Sequence, residues 1–136
     1  MKNIIIYEDS NFENLAPFSI NHASFELKCG IFSNLDRIIK HYNNAKIILI
    51  VRDELKDLIN ERYPDYEINP KKIPPGICIN GALIFDKNTI DISFQKPLKH
   101  KEKIVGFNLI DELDIHEFQN YLQKITKGIE KDILCV

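Results

Sequence analysis

The stretch NHASFELKCG, residues 21–30, brings together side chains that bind ligands or carry out chemistry, and it ends on a glycine. His22, Glu26 and Cys29 do not have the spacing of a common metal site. Cys29 is a nucleophile only if a neighbouring base lowers its pKa, so a loop histidine and a buried cysteine are the preferred interpretations. Gly30 is more informative, because a glycine before a helix lets a ligand approach the backbone, and helix N-termini attract phosphate.

An acidic pair, Glu8 and Asp9, follows the first apolar run and offers a second kind of chemistry. Adjacent carboxylates after a strand suit Mg²⁺, so Glu8 and Asp9 are both candidate ligands. A solvated acidic strand end is the simpler alternative. Receiver domains of two-component signalling also carry such a pair, but they need an aspartate at the end of the third strand, where this chain has Asn80.

Short apolar runs alternate with segments of helical periodicity. Strands are predicted at 3–8, 46–51, 77–80 and 102–109, and helices at 31–42, 52–63 and 114–126. The first helix has its apolar residues at Ile31, Leu35, Ile38, Ile39 and Tyr42, and KKIPPG at 71–76 is predicted as a stiff turn. Strands that are apolar on both faces are typical of a parallel sheet covered by helices. The sequence therefore predicts an α/β, Rossmann-like, mostly parallel sheet with helices on both faces.

Ligands of such sheets bind beyond the carboxyl ends of the strands. Three predicted strand ends carry polar residues: Glu8 and Asp9, then Arg52 and Asp53, then Asn80 with Gly81. These ends, together with the segment 17–30, form the predicted binding edge of the sheet. No GxGxxG pattern and no Walker lysine motif is present, so the glycine-loop signatures of nucleotide binding are absent from the sequence.

Composition restricts the function class further. The 136 residues predict one domain, 1–136, and the formal net charge of −2 does not favour nucleic acid. No apolar run approaches the roughly 20 residues that span a bilayer, and the N-terminus lacks the features of a signal peptide. Three well-separated cysteines, Cys29, Cys78 and Cys135, favour a reducing compartment. We therefore expect a cytoplasmic protein without membrane or nucleic-acid partners.

Beyond these patterns, three stretches carry a family resemblance: EDSNFENLAPFSINHASFELKCGIFSNLDRI at 8–38, ILIVRDEL at 48–55 and ICINGALIF at 77–85. They resemble the amino-terminal part of sugar nucleotidyltransferases, the group found fused to a left-handed β-helix acyltransferase in bifunctional enzymes that make UDP-N-acetylglucosamine. The resemblance runs from about Asn3 to Phe85. It implies attack of a sugar 1-phosphate on the α-phosphate of a nucleoside triphosphate, with release of pyrophosphate and with Mg²⁺ as cofactor.

The resemblance also implies roles for individual residues. Lys28 and Arg52 are the candidate catalytic cations, and Asp9 is the candidate metal ligand. The candidate nucleotide-binding residues are Pro17, Ser19, Asn21, His22, Glu26, Gly30, Asn80 and Gly81. The implied partners are a nucleoside triphosphate and a sugar 1-phosphate, or a nucleotide-sugar.

The chain departs from the family pattern at three cationic positions. An Arg-Pro pair of the family is His22-Ala23, a Leu-Arg step is Leu27-Lys28, and an Asn-Gly-Arg turn ends in Ala82. Neither histidine nor alanine replaces the bidentate guanidinium fork that binds phosphate. The chain is also short for an ordinary nucleotidyltransferase, so we expect a truncated form of the fold, either a fragment or a reduced relative.

Three functions stay open at this point: an active transferase, a non-catalytic nucleotide-binding or assembly domain, and a structural domain that binds no nucleotide. The base, the sugar and a homo-oligomeric state are also left open by the sequence.

Overall fold

The computed structural model of the chain describes residues 2–8, 22–26, 28, 31–81, 98–100 and 103–126. The strands in this part are β1 Asn3–Tyr7, β2 Lys46–Ile50, β3 Glu67–Ile68, β4 Lys72–Ile73, β5 Gly76–Asn80, β6 Leu98–His100, β7 Lys103–Leu109 and β8 Leu113–Asp114. The helices are α1 Asn34–His41, α2 Lys56–Arg62 and α3 Ile115–Thr126, and short 3₁₀ turns lie at Ser24–Glu26 and Asp53–Leu55.

Six of these strands form one sheet, in the spatial order β3-β2-β1-β5-β7-β6. Strand β1 runs parallel to both β2 and β5, and β2 runs parallel to β3. Strand β7 is antiparallel to its neighbours β5 and β6. The mostly parallel sheet expected from the sequence is therefore confirmed.

The central strands are buried on both faces, as their apolar composition predicts. On β1, Ile4 and Ile6 pack into one hydrophobic cluster, whereas Ile5 and Tyr7 pack into the cluster on the opposite face. Helices α1 and α2, together with the 3₁₀ turn that precedes α2, cover the first face with the side chains Leu35, Ile38, Leu55 and Ile59. Helix α3 covers the second face with Phe118 and Leu122. Helices thus lie on both faces of the sheet, as predicted.

The first helix begins later than predicted. A capping box at Ser33 and Asp36 starts α1: the Ser33 hydroxyl accepts from the Asp36 backbone N–H, and the Asp36 carboxylate accepts from the Ser33 backbone N–H. This reciprocal cap satisfies two N–H groups that a helix leaves without partners. Ile31 precedes the cap and is 85% exposed, so its assignment to the buried helix face was wrong.

The segment 71–76 also differs from its prediction as a turn. Within it, β4 pairs antiparallel with β8, which leads directly into α3. This small second sheet places Ile73, fully buried, in the hydrophobic cluster beneath α3. The pairing partner lies some forty residues away in sequence, so a local pattern of lysines and prolines did not reveal it. No helix in the described part of the chain is long and apolar enough to cross a membrane.

Asn69 extends the pairing of β3 with β2 through its side chain. Its Oδ1 accepts from the Val51 backbone N–H at 2.8 Å, and its Nδ2 donates to the Val51 carbonyl at 2.8 Å. Its backbone is left-handed, with φ at 48°, a conformation that asparagine tolerates better than most residues.

We expect Asn69→Gly to lower the free energy of unfolding by about 1–3 kcal/mol, because two buried hydrogen bonds are lost while the backbone remains relaxed. Asn69→Ala is expected to cost about 1 kcal/mol more, since alanine adds left-handed strain. Urea unfolding of both variants tests this. Equal stability of the glycine variant and the wild type would show that the side-chain bonds contribute nothing.

Candidate functional site

The predicted binding edge is present at the carboxyl ends of β1, β2 and β5. Tyr7, the last residue of β1, is paired with Ile50 on one side and with Asn80 on the other. The backbone continues this pairing, because the Glu8 N–H donates to the Ile50 carbonyl at 2.9 Å and the Gly81 N–H donates to the Tyr7 carbonyl at 2.8 Å. Glu8 and Gly81 are therefore held beside each other at one edge of the sheet.

The 3₁₀ turn Ser24–Glu26 packs on this edge against Gly81. A Cβ at Gly81 would lie 2.7 Å from the Phe25 Cβ, so only glycine allows this close approach. Asn34, the first residue of α1, donates from Nδ2 to the Gly81 carbonyl at 3.0 Å. This contact fixes the orientation of the Asn34 amide. Within the part of the chain that the structure describes, the buried Asn34 Oδ1 and Ser24 Oγ have no hydrogen-bond partner. The turn, the end of β5 and the start of α1 thus meet at one place.

Glu8 is buried and joins the strand ends to the turn. Its Oε1 lies 2.6 Å from Arg52 Nη1 and accepts the Ser24 backbone N–H at 3.1 Å, while Oε2 accepts the Arg52 backbone N–H at 3.4 Å. Burial raises the pKa of the Glu8 carboxyl, and the Arg52 charge and the two backbone N–H groups offset part of that rise. Glu8 therefore acts within the protein as the acceptor of three donors.

The described residues do not by themselves make a magnesium site. No group of three or more His, Cys, Asp or Glu side chains that could hold a metal lies among them. Both oxygens of Glu8 are engaged with Arg52 and the backbone, so this carboxylate does not fit a metal ion in the observed arrangement. Asp9 is outside the described residues, and its role as a ligand stays a prediction.

Glu26, a candidate nucleotide-binding residue, is engaged in a second internal network. Arg62 Nη1 donates to its two oxygens at 2.8 and 3.0 Å, and the Tyr63 hydroxyl donates to Oε2 at 3.3 Å. Oε1 also accepts the Ala23 backbone N–H at 2.9 Å. The carboxylate thus stabilises its own turn against the end of α2.

This network makes Tyr63 a measurable reporter of the turn. Burial, followed by the negative charge of Glu26, raises the pKa of Tyr63 to about 12. An unfolded tyrosine ionises near pH 10, so the folded chain holds this proton more tightly, and the contribution to stability is lost as the pH rises from about 10 to about 12. We expect the difference in tyrosinate absorbance between the wild type and Tyr63→Phe to develop near pH 12, well above the pH at which an ordinary tyrosine ionises. A difference curve centred at pH 10 would contradict this result.

The other candidate residues in the described part lie around the same edge. Asn80 is fully buried. Lys28 is exposed, and its backbone pairs with that of Ser33 at the cap of α1. His22 is half-buried and lies two residues before the start of the turn. The candidates Asp9, Pro17, Ser19, Asn21 and Gly30 lie outside the described residues.

Sequence patterns did not single out Arg62, Tyr63 or Asn34 as site residues. Arg62 and Tyr63 lie at the end of a helix whose periodicity predicts only a packed and a solvated face. Asn34 is fully buried, although a polar residue after a serine cap is unremarkable in sequence. Their importance follows from contacts with residues far away along the chain, and no local signal pointed to it.

Comparison with known proteins complements this geometry. A family model described as sugar nucleotidyl transferase matches residues 4–136. A search of curated proteins found no match.

Proposed function

Because the chain belongs to the sugar nucleotidyl transferase family, we propose that its sheet edge binds the nucleotide of a sugar-1-phosphate nucleotidyl transfer. The observation that carries the proposal is the meeting of three strand ends with the turn Ser24–Glu26 and the start of α1. The buried Asn34 Oδ1 and Ser24 Oγ add support, because buried polar atoms normally have a partner and a ligand or a water would supply one.

In the proposed reaction, an oxygen of a sugar 1-phosphate attacks the α-phosphorus of a nucleoside triphosphate. The bond from that phosphorus to the bridging oxygen breaks, and pyrophosphate leaves. Lys28 is the candidate cation for a phosphate, since it is exposed and its backbone lies near the start of α1. Asn80 and Gly81 would face the base or the sugar. Bound Mg²⁺, with Asp9 as a ligand, would neutralise charge on the phosphates.

We further propose that the nucleotide is a uridine nucleotide, with UTP and UDP-N-acetylglucosamine as the compounds to test first. This choice rests on the resemblance of the segments 8–38, 48–55 and 77–85 to enzymes that make UDP-N-acetylglucosamine.

A non-catalytic nucleotide-binding domain is the second candidate. Two internal ion pairs favour it. Arg52, one of the two predicted catalytic cations, donates to Glu8 within the protein, and Glu26, a predicted nucleotide-binding residue, is paired with Arg62. In addition, this chain has His22 and Ala82 at two positions where the family pattern has arginine. A chain with these properties would retain nucleotide binding and lose turnover.

Thermal unfolding with Mg²⁺ and a panel of nucleoside triphosphates and nucleotide-sugars tests binding, and pyrophosphate release tests turnover. A ligand at about 100 times its dissociation constant adds about 2.7 kcal/mol of stability. We expect Lys28→Met to weaken binding about tenfold, the effect of losing one charged contact. Lys56→Met is the matched control, since Lys56 is also exposed but lies on α2. No shift with any compound would overturn the proposed function, whereas a shift without pyrophosphate release would select the second candidate.

A further inference from the structure

The backbone N–H groups of two consecutive residues, Ala23 and Ser24, donate to two different glutamates. The Ser24 N–H donates to Glu8 at 3.1 Å, and the Ala23 N–H donates to Glu26 at 2.9 Å. Each glutamate is paired in turn with an arginine, Glu8 with Arg52 at 2.6 Å and Glu26 with Arg62 at 2.8 Å. We call these four side chains the clasp.

Both arginines of the clasp come from one segment. Arg52 precedes the 3₁₀ turn Asp53–Leu55, and Arg62 is the last residue of α2. The segment is anchored beneath by Leu55 and Ile59, which are buried in the hydrophobic cluster of the first face. Packing of this segment therefore determines where both guanidinium groups lie. The guanidinium groups in turn hold Glu8 and Glu26, the two carboxylates that accept the backbone N–H groups of Ser24 and Ala23.

Burial makes the charges of the clasp depend on one another. The side chains of Glu8 and Glu26 are 1% and 9% exposed, and those of Arg52 and Arg62 are 11% and 30% exposed. A charge with so little solvent needs its partner, because desolvation is otherwise uncompensated. A ligand phosphate that recruited Arg52 would leave the buried Glu8 carboxylate without its charged partner, with the backbone N–H groups of Ser24 and Arg52 as its donors. Direct contact between Arg52 and the ligand is therefore disfavoured.

We infer that Arg52, Arg62 and Glu26 are positioning residues, which hold the turn at Ala23 and Ser24 in its ligand-binding conformation without contacting the ligand. This inference rests on the proposed function, since it concerns the same sheet edge. It changes the roles implied by the family resemblance, in which Arg52 is catalytic and Glu26 contacts the nucleotide.

The test combines amide hydrogen exchange at Ala23 and Ser24 with the dissociation constant for Mg²⁺·UTP. In Arg62→Met, which keeps the apolar stem at a partly exposed site, we expect exchange at Ala23 to become about tenfold faster. Binding of Mg²⁺·UTP should weaken in parallel. Glu26→Gln keeps an acceptor for the Ala23 N–H and loses the charge, so its exchange and its binding should both fall between those of the wild type and Arg62→Met.

Lys46→Met is the matched control. Lys46 pairs with Glu67 at 3.0 Å, but both side chains are about half exposed, and the pair lies away from the turn. This variant should change neither exchange at Ala23 nor binding.

Two results would overturn the inference. Weaker binding in Arg62→Met with unchanged exchange at Ala23 would show that Arg62 contacts the ligand directly. Faster exchange with unchanged binding would show that the turn is not part of the ligand site. A wild-type chain that binds no nucleotide would contradict the proposed function instead. In that case, unchanged exchange at Ala23 in Arg62→Met would still show that Arg62 does not hold the turn.

Discussion

Replacement of Arg52 by methionine is expected to lower the free energy of unfolding by about 3–5 kcal/mol, the usual cost of breaking a buried ion pair from one side. The Glu8 side chain is 1% exposed, so without Arg52 its charge loses its partner and has no compensating solvent. Urea unfolding at neutral pH measures the loss. Methionine keeps much of the side-chain volume, and therefore the effect reports charge more than packing.

The pH dependence of this loss has a definite sign. Burial already raises the pKa of Glu8, and Arg52 is the largest influence that lowers it, so the variant has a still higher pKa. A carboxyl whose pKa is raised on folding binds its proton more tightly in the folded state, which favours folding as the pH falls. The difference between wild type and Arg52→Met should therefore shrink from pH 7 toward the ordinary carboxyl pKa of 4.5.

Two controls sharpen this prediction. Lys46→Met breaks an exposed pair and should cost less than about 1 kcal/mol. The double variant Glu8→Gln with Arg52→Met removes the unpaired charge and should be more stable than Arg52→Met alone. A loss below about 1 kcal/mol in Arg52→Met would show that Glu8 is solvated or protonated in the folded chain.

Replacement of Phe118 by alanine is expected to cost about 3–5 kcal/mol, the range for truncating a large buried aromatic side chain. Phe118 is fully buried on α3, and its ring centroid lies 6.4 Å from the centroids of both Tyr7 and Phe107. The cavity would remove the ring contacts that join α3 to Tyr7 and Phe107 on the second face of the sheet. Thermal or urea unfolding measures the effect.

Asn120→Ala is the control on the same helix, because Asn120 is exposed and its replacement should change stability by no more than about 0.5 kcal/mol. Equal effects of the two substitutions would mean that α3 is not packed on the sheet.

Much of the fold follows from short patterns in the sequence. The apolar runs 3–8 and 46–51 predicted the two central strands β1 and β2, because a strand buried on both faces has no polar alternation. The periodicity at 114–126 predicted α3 within one residue of its start. Ile31 was misassigned because it fits the helical spacing, whereas the capping box at Ser33 decides where the helix begins.

The candidate site was predicted in part. The predicted strand ends place Glu8, Arg52 and Asn80 at one edge of the sheet, and the structure brings them there, because carboxyl ends of parallel strands meet at one edge. The sequence does not identify their partners. Arg62 and Asn34 attracted no attention, although Arg62 binds Glu26 and Asn34 binds Gly81.

By itself, the sequence determined the strands β1, β2, β5 and β7, the three helices, the two-sided burial of the sheet and the edge where polar residues gather, since these depend on local composition and periodicity. It did not reveal the short strands β3, β4, β6 and β8, whose pairing depends on residues elsewhere in the chain. Only the tertiary structure decided which charged groups are used inside the protein. Arg52 and Glu8 are 44 positions apart, and Arg62 and Glu26 are 36 apart. Such pairs form only once the sheet and α2 have packed, because burial then makes each charge depend on the other.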